Sequence, residues 1–445
     1  MKIHQLKLTN FRKFSSAMYQ FNTVSGVTVL IGNNATGKST ILDALSIMMG
    51  SYLLDFNVGP LRSIRKSEMH LAQITVDEVI TLEPQWPEGV TLSCIGSLTD
   101  LDANFNGPIS WARGLKSETG NTTRSYAKNI ASAGKVAMAK MAKGEEVLLP
   151  VLAYYGTGRL WSKKHNGDLG KPDSRARGYR DCLDPASNHH LFVKWFIRLS
   201  FGAVQKGKPY GVLEAVRQAV KQCIPECRDF YADLELQQLM VVLENTELLA
   251  FDNLSDGYRN MVAMVADIAY RAACLNPHLG INAALKTPGV VLIDEIDLHL
   301  HPKWQRTIMH SLRTAFPEVQ FIVSTHSPFI VQSLEPGEVL DLNSTLVVEQ
   351  GCEVASPAPD KPFCDRSIED VVEDVMGVSI PSRSHRLREM YETATTYYTL
   401  LDTVDDSTEQ EIEQLKHKLD ALSAPFSENV AYHAFLEMKR MKAGL

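Results

Sequence analysis

Cysteine is too sparse and too scattered in this sequence to build a disulfide framework. The chain has seven cysteines in 445 residues, and only Cys223 and Cys227 lie close together. An odd, scattered set excludes a small secreted domain held by disulfides. Cys223 and Cys227 could be half of a metal site, but no second pair with matching spacing accompanies them, which favours a buried, reduced pair.

A long apolar run is also absent, which excludes a membrane-spanning helix. The first residues, Met1–Leu6, are typical of a strand and not of a signal peptide. We therefore expect a cytoplasmic protein with no membrane contact.

Positive charge is not in excess either. The chain has 45 lysines and arginines against 52 acidic residues, and residues 346–445 alone hold 10 basic and 19 acidic side chains. The acidic character therefore belongs to the C-terminal part, which would repel nucleic acid and suits a basic protein partner. Nucleic-acid binding by the nearly neutral remainder would need a local patch.

The most informative stretch fits the phosphate-loop pattern G-x-x-x-x-G-K-[ST] at every fixed position. Glycines let successive amide groups face an anion, the lysine reaches the outer phosphates, and the last hydroxyl binds Mg²⁺. An apolar strand precedes the loop and a helical pattern follows it, which is the context that the motif requires. A glycine-rich turn that binds nothing is the alternative. The nucleotide-binding residues predicted here are Gly32, Asn33, Asn34, Ala35, Thr36, Gly37, Lys38 and Ser39.

Two later strands end in polar side chains. Val290–Ile293 leads into Asp294 and Glu295, and Phe321–Ser324 leads towards His326. Acids at the C-terminal end of a buried parallel strand lie where open α/β sheets bind ligands. Asp294 can then hold Mg²⁺, and Glu295 can accept a proton from the water that attacks the γ-phosphate. His326 could donate to the γ-phosphate or orient that water, although a lone histidine is more often structural.

A second helix N-terminus follows Leu254. Ser255 or Asp256 can cap this helix, and Gly257 allows close approach of the backbone. Such an N-terminus can receive an anion. One chain with two anion sites far apart in sequence suggests a nucleotide held between two surfaces.

The order of these motifs resembles ABC-type ATPase heads of the SMC and RecF kind. In that family two heads enclose two ATP molecules, and each phosphate loop is completed by the partner's signature motif, here Ser255 and Gly257. The opening Leu8–Phe14 also resembles this group, which adds Arg12 to the expected nucleotide contacts. Thr40, directly after Ser39, is a further expected contact. The resemblance implies ATP and Mg²⁺ as ligands, with Ser39 and Asp294 at the metal.

A narrower resemblance joins the chain to bacterial defence ATPases. Asp294–Pro302 resembles the overcoming-lysogenization and Septu types, in which Asp297 belongs to the D-loop at the dimer interface. Asp297, His299 and His301 could otherwise suggest a metal site. Further stretches resemble ATP-binding proteins of virulence or phage defence that include the Septu ATPase subunit, namely Ala153–Arg159, Leu254–Asn260, Asp267–Arg271 and Ser367–Asp370.

This sequence departs from the family pattern in two places. The signature motif has Asp256 and Tyr258 where transporters have glycine and glutamine, and no glutamine stands in an obvious Q-loop context after Tyr155. The second protein ligand of the metal is therefore not identified. The basic segment after the loop could face phosphates or could be a solvated loop; it holds Lys163, Lys164, Arg175, Arg177 and Arg180.

The expected fold is an α/β ABC-ATPase head. It would have a mixed central sheet, an antiparallel β lobe, a helical insertion and an α-helical C-terminal region. Because 445 residues exceed one compact core, we divide the chain into four parts. They are an N-terminal ATPase lobe (1–160), a helical insertion (161–250), a C-terminal ATPase lobe (251–345) and an acidic helical region for partner binding (346–445).

Within these parts the sequence pattern also predicts individual strands and helices. Ile74–Leu82 and Val90–Ile95 are expected to be antiparallel strands, Ala127–Lys143 a helix, and His189 to about Gln238 mostly helical. Ser367–Gly377 is a capped amphipathic helix, and Ser407–Leu422 repeats leucines at heptad-like spacing for only about two heptads.

Three functions remain open. The first is an ATPase that dimerises around ATP and regulates a partner effector, an HNH nuclease bound by the C-terminal region, in phage defence. The second is a self-contained Toprim nuclease, which Leu346–Gly351 superficially suggests. Against it, Gln350 interrupts the Glu-Gly pair that a Toprim motif would have, and the acids at 402–406 lie in a helix–turn context and not on a strand. The third is a RecF-like DNA-repair ATPase. Nucleic acid could be bound through the complex.

Overall fold

The protein is described by a computed structural model. The described residues are 1–56, 58–76, 79–99, 105, 107–160, 174–185, 189–244, 247–343, 347–349, 352–357 and 363–376, with 389, 392, 393, 396, 414, 416–419 and 421. The chain divides by its contacts into two compact units, residues 1–371 and 372–445. The elements below belong to the first unit, except that the last helix extends past its end.

The strands of the described chain are β1 (Lys2–Phe11), β2 (Phe14–Gln20), β3 (Val27–Ile31), β4 (Leu71–Val76), β5 (Val79–Pro84), β6 (Val90–Ser97), β7 (Pro108–Leu115), β8 (Val151–Tyr155), β9 (Cys227–Asp233), β10 (Gln238–Leu243), β11 (Leu248–Ala250), β12 (Gly289–Ile293), β13 (Val319–Ser324), β14 (Val339–Asp341), β15 (Val347–Glu349) and β16 (Cys352–Ala355). The α-helices are α1 (Lys38–Met49), α2 (Lys128–Ala142), α3 (His189–Lys206), α4 (Gly211–Cys223), α5 (Asp256–Leu275), α6 (Ala283–Lys286), α7 (Pro302–Gln305), α8 (Ile308–Ala315), α9 (Pro328–Gln332) and α10 (Ile368–Met376).

A five-stranded parallel sheet forms the centre, in the order β14-β3-β13-β12-β8. Every residue of β3, β8, β12 and β13 is buried. Helices α1 and α5 pack on this sheet. The continuous apolar runs predicted strands covered on both faces, and this is confirmed.

The second large sheet has six strands in the order β15-β16-β2-β1-β6-β7. Its neighbours are antiparallel except β16 and β2, which are parallel. The predicted α/β class with mixed and antiparallel sheets is therefore confirmed, but the mixed sheet is this lobe, whereas the central sheet is parallel throughout. β15 and β16 come from the segment assigned to the C-terminal region; the domain boundaries at 160, 250 and 345 stay predictions.

Two local predictions are wrong. Ile74–Leu82 is not one strand, because β4 and β5 pair with each other as a separate hairpin while β6 pairs with β1 and β7. The helical pattern expected up to Gln238 ends at Cys223, and the antiparallel sheet β11-β10-β9 follows. Pro225 explains this end, since the residue before a proline is driven to extended backbone; Ile224 has φ −97° and ψ 114°.

Other elements agree with the sequence patterns. α1, α2, α5 and α10 occur where helices were expected, and Ser367 accepts a hydrogen bond from the Asp370 amide at 3.1 Å as a cap. Cys223 and Cys227 are free and buried, and no cluster of metal-ligating side chains occurs within the described ranges. No helix in the part of the chain that the structure describes is long and apolar enough to cross a membrane. Most of Ser407–Leu422 and all of 402–406 lie outside the described residues.

Candidate nucleotide site

The phosphate-loop segment joins the end of β3 to the start of α1. Gly32 and Gly37 have φ values of 147° and 103°, in the region that favours glycine. A Cβ on Gly37 would lie 2.5 Å from the Phe14 ring, so the loop leaves no room for a side chain there. Gly37 also occupies the N-cap position and has no side chain with which to cap α1. The first amides of α1 can therefore face an anion, which fits the phosphates of a nucleotide.

Lys38 is the buried cation of this loop. It is 7% exposed, and its Nζ donates to the Gly32 carbonyl at 2.7 Å and to the Asn33 carbonyl at 3.1 Å. Burial lowers the pKa of Lys38, while the nearby charges of Asp294 and Glu295 oppose that shift. The structure thus brings the predicted lysine and the predicted acids together. Ser39, next in the chain, is exposed on the first turn.

Asp294 and Glu295 are held by the neighbouring strand. The Ser324 hydroxyl donates to Asp294 Oδ1 at 2.5 Å and accepts from the Glu295 amide at 2.8 Å. The Asp294 amide donates to the Tyr155 carbonyl at 2.8 Å. Asp294 is buried, and Glu295 has a left-handed φ of 49° that turns the chain away from β12. One serine therefore fixes both acids at the carboxyl edge of the sheet.

His326 lies beside Asp297. The His326 amide donates to Asp297 Oδ1 at 3.3 Å, and the Thr325 hydroxyl donates to the same oxygen at 2.5 Å. The side chain of His326 is exposed. Its position one strand from Asp294 matches the expected place at the sheet edge.

Ser255 and Gly257 form the start of α5, and this turn packs on His299 of its own chain. Ser255 is the exposed N-cap residue. Gly257 is buried, and a Cβ there would lie 2.2 Å from the His299 carbonyl oxygen. His299 itself has a left-handed φ of 62°. The glycine is required for this close packing, while Ser255 faces outward.

Arg12 lies beside the first turn of α1 and is ion-paired there; its predicted contact with the nucleotide stays a prediction. Its guanidinium is 3.4 Å from the Thr40 hydroxyl and 2.7 Å from both Asp43 and Glu68. Arg62 pairs with the same two acids. Burial would raise the pKa of Asp43, but the hydrogen bond and charge of Arg62 and the charge of Arg12 lower it below its ordinary value. Beside this network lies a pocket of about 610 Å³.

Lys13 is a loop contact that the sequence did not single out. Its Nζ donates to the carbonyls of Ala35 and Thr36, both at 2.9 Å, and lies over the Phe14 ring. The β1–β2 turn therefore closes over the phosphate loop.

Arg175, in the described part of the basic segment, binds the protein itself. Arg175 donates to the carbonyls of Leu275 and Val147 at 2.7 and 2.6 Å. The buried pair Asp267–Arg271 of α5 also contacts this region, and Tyr155 donates to Asp267 at 2.7 Å. Arg175 is therefore structural, and Lys163 and Lys164 lie outside the described residues.

Two protein families match parts of the chain. The family "AAA ATPase domain" matches residues 1–90, which contain the phosphate loop. The family "AAA domain, putative AbiEii toxin, Type IV TA system" matches residues 197–332, which contain Ser255, Asp294, Glu295 and His326. The two matches together cover the site described above.

Among curated proteins, the "Retron Vc95 probable ATPase" of Vibrio cholerae is 26% identical over 77% of this chain and 74% of its own length. The "Retron Ec83 probable ATPase" of Escherichia coli is 24% identical over 75% of this chain and 70% of its own. The "Septu protein PtuA" of Bacillus thuringiensis is 29% identical over 42% of this chain and 45% of its own.

Among solved structures, the SMC head domain of Thermotoga maritima has a TM-score of 0.44 and 14% identity, covering 80% of this chain and 99% of that one. An SMC head bound to the C-winged helix domain of ScpA has a TM-score of 0.46 and 13% identity, covering 82% of this chain and 100% of that one. From its family matches and its relatives, this chain is an ATPase that carries AAA domains and is homologous to Septu PtuA and the retron ATPases.

Proposed function

We propose that this ATPase dimerises head to head around ATP and regulates a partner effector in bacterial phage defence. The dimer is inferred from the division of the predicted site residues between two surfaces, the edge of the central sheet and the start of α5. Lys38, Asp294 and Glu295 meet at the sheet edge, whereas Ser255 is exposed at the start of α5, on a turn that packs against the D-loop. A second copy would bring its Ser255 and Gly257 to the phosphates.

Each residue has a defined task in hydrolysis. Lys38 neutralises charge on the outer phosphates, and Ser39 and Asp294 would hold Mg²⁺, which supplies further charge neutralisation when bound. Glu295 accepts the proton of the attacking water. Ser324 keeps Asp294 and Glu295 in place, and the exposed His326 can donate to the γ-phosphate.

The test is nucleotide-dependent dimerisation of Glu295→Gln, measured by light scattering. With ATP this variant should form a stable dimer, and its turnover should fall at least a hundredfold because the base is lost. Ser255→Arg in the same background should block the dimer, while Ser117→Arg, at an exposed serine elsewhere, should not.

Two outcomes would contradict this proposal. Unchanged turnover in Glu295→Gln would remove Glu295 as the base. A dimer that forms equally with Ser255→Arg would remove the signature from the interface.

The regulated partner is proposed to be an HNH nuclease bound by the acidic C-terminal region. The similarity to Septu PtuA and the retron ATPases and the acidic excess after residue 346 support this proposal. Glu369 and Glu373 of α10 are exposed acids in this region. Glu369→Lys together with Glu373→Lys should weaken co-purification of such a nuclease and leave ATP hydrolysis intact; unchanged co-purification would exclude α10 as its site.

The geometry does not favour a Toprim nuclease. Val347–Glu349 is β15, whose Glu349 pairs with Cys352 in a hairpin that extends the six-stranded sheet of the ATPase lobe. A Toprim strand would instead begin a sheet of its own. Metal-dependent DNA cleavage by the purified chain, lost in Glu349→Ala, would reverse this conclusion.

A further inference from the structure

The turn between β1 and β2 is held in an unfavourable backbone conformation. The register pairs Phe11 with Phe14, so the turn consists of Arg12 and Lys13. Arg12 has a left-handed φ of 52°, which is unfavourable for a residue with a Cβ and persists only where the surroundings fix it. The Arg12 amide donates to the Glu68 carbonyl at 2.7 Å, and the guanidinium pairs with the Glu68 carboxylate. The lobe therefore fixes the position from which the next residue projects.

That next residue, Lys13, reaches from the turn to the phosphate loop. Its Nζ donates to the carbonyls of Ala35 and Thr36, both at 2.9 Å, and lies 5.3 Å from the centroid of the Phe14 ring. The same ring fills the space where a Cβ of Gly37 would lie. Two consecutive side chains therefore contact three consecutive residues of the loop.

The two carbonyls matter because they fix the direction of the amides that follow them. In a trans peptide the C=O and the next N–H point in opposite directions. By holding the Thr36 carbonyl, Lys13 turns the Gly37 N–H to the other side of the loop. Ala35 has a left-handed φ of 65°, which also needs support from its surroundings. Amides of a phosphate loop are the groups that receive the anion.

The support from Lys13 does not compete with phosphate binding, whereas that from Lys38 does. Two of the three donors on Lys38 Nζ are used by the carbonyls of Gly32 and Asn33, and they reach phosphates only when these bonds break. Lys13 is exposed and holds a different part of the loop. It can keep its bonds while Lys38 turns to the nucleotide.

We propose that Lys13 is a positioning residue for ATP. It holds the phosphate loop in its binding form before the nucleotide arrives, and so raises nucleotide affinity without touching a phosphate. A loop that is already ordered loses less conformational freedom on binding. The loop amides serve the α- and β-phosphates, which ADP and ATP share, so the gain is the same for both. This inference rests on the proposed function, in which the phosphate loop is the nucleotide site.

The experiment measures binding of mant-ADP and mant-AMPPNP, a fluorescent diphosphate and a fluorescent triphosphate that is not hydrolysed, with Mg²⁺. Lys13→Met removes the ammonium group and keeps a stem of similar length, so it should weaken both by the same factor, about tenfold. Lys13→Arg should restore the affinity, because a guanidinium can donate to both carbonyls. Lys7→Met, at an exposed lysine of β1, is the matched control and should bind like wild type.

Steady-state ATP hydrolysis separates positioning from a general structural role. Lys13→Met should raise KM and leave kcat within about twofold of wild type, because Lys38, Asp294 and Glu295 are unchanged. Its urea midpoint without nucleotide should match that of Lys7→Met. A fall in kcat together with a lower midpoint would show that Lys13 only stabilises the fold, and would overturn the proposal.

Two binding results would also overturn it. One is a Lys13→Met variant that binds both mant nucleotides like wild type. The other is weaker binding of the triphosphate alone, which would place Lys13 on the γ-phosphate itself. Lys38→Ala tells the two proposals apart. If it also binds like wild type, the phosphate loop is not the site and the proposed function fails; if it loses binding while Lys13→Met keeps it, only the role of Lys13 fails.

Discussion

At the scale of single residues, Ser324 links the two acids of the proposed site. Its hydroxyl donates to Asp294 and accepts from the amide of Glu295, so it orients the proposed metal ligand and the proposed base together. Removal of a side chain that orients a metal ligand typically lowers activity by about 10–100-fold, because the ligand no longer keeps its position.

Ser324→Ala should therefore lower kcat by about 10–100-fold with little change in KM, because phosphate binding by Lys38 is untouched. Steady-state ATP hydrolysis measures both constants. Ser333→Ala is the matched control, since the Ser333 hydroxyl donates within its own turn, to the Ile330 carbonyl. A kcat within twofold of wild type in Ser324→Ala would show that Asp294 and Glu295 hold their positions without it.

The sequence identified Asp294 and Glu295 but gave Ser324 no role, and the reason is register. Parallel pairing of Ile293 with Val323 places the next residues of the two strands side by side, and strand register cannot be read from a pattern of apolar residues. Lys13 was missed for a similar reason, because its contacts depend on the β1–β2 turn closing over the loop. Phosphate-loop residues were predictable because motif and ligand chemistry are local.

At the scale of elements, the network around Asp43 joins α1 to the chain on both sides of it. Asp43 contacts Arg12 after β1, Arg62 before β4, and the hydroxyl of Tyr154 in β8 at 3.1 Å. Glu68, which is only 3% exposed, forms ion pairs with the same two arginines. The helix that carries the phosphate loop is therefore fixed by charges that the apolar pattern of α1 does not show.

Asp43→Asn should destabilise the protein by about 1–3 kcal/mol at pH 7, since Glu68 is then the one acid of this network that balances the two arginines. The pKa of Asp43 is lowered from its ordinary 3.8, so the carboxylate contributes its stability above that value and loses it as pH falls through the lowered pKa. Urea unfolding from pH 3 to pH 7 measures the difference between the variants. The exposed Asp55→Asn is the control; a difference that stays constant down to pH 3 would exclude ionisation of Asp43 as its source.

Elements with an unbroken apolar run or a helical repeat were predictable, and strands of mixed burial were not. The buried strands β3, β12 and β13 are continuous apolar runs, and the helices α1 and α5 repeat apolar residues at helical spacing. β9 and β10 are only partly buried, and their pairing partner is fixed by tertiary contacts. The hairpin β4–β5 was read as one strand because its apolar alternation continues on both sides of the turn.

At the scale of the whole molecule, the site draws on elements from most of the length of the larger unit. The phosphate loop follows β3, the acids follow β12, Ser324 ends β13, and Arg12 and Lys13 come from the six-stranded sheet. All of them belong to residues 1–371, one compact unit. A ligand that engages them together should therefore stabilise this unit as a whole and not one loop of it.

ATP with Mg²⁺ should raise the unfolding midpoint of the wild-type protein, by about 2.7 kcal/mol of stabilisation at a hundredfold excess over Kd. Glu295→Gln should show at least the same rise because it binds without consuming the ligand, whereas Lys38→Ala should show almost none. Differential scanning fluorimetry over a range of ATP concentrations, with tryptophan emission as a second probe, measures the shift. Ser117→Arg controls for a substitution outside the site and should respond like wild type. If ATP raised the unfolding midpoint of Lys38→Ala as much as that of wild type, the stabilising nucleotide would be bound outside the phosphate loop. If only one of the two probes showed the higher midpoint, the elements around the site would not unfold as one unit.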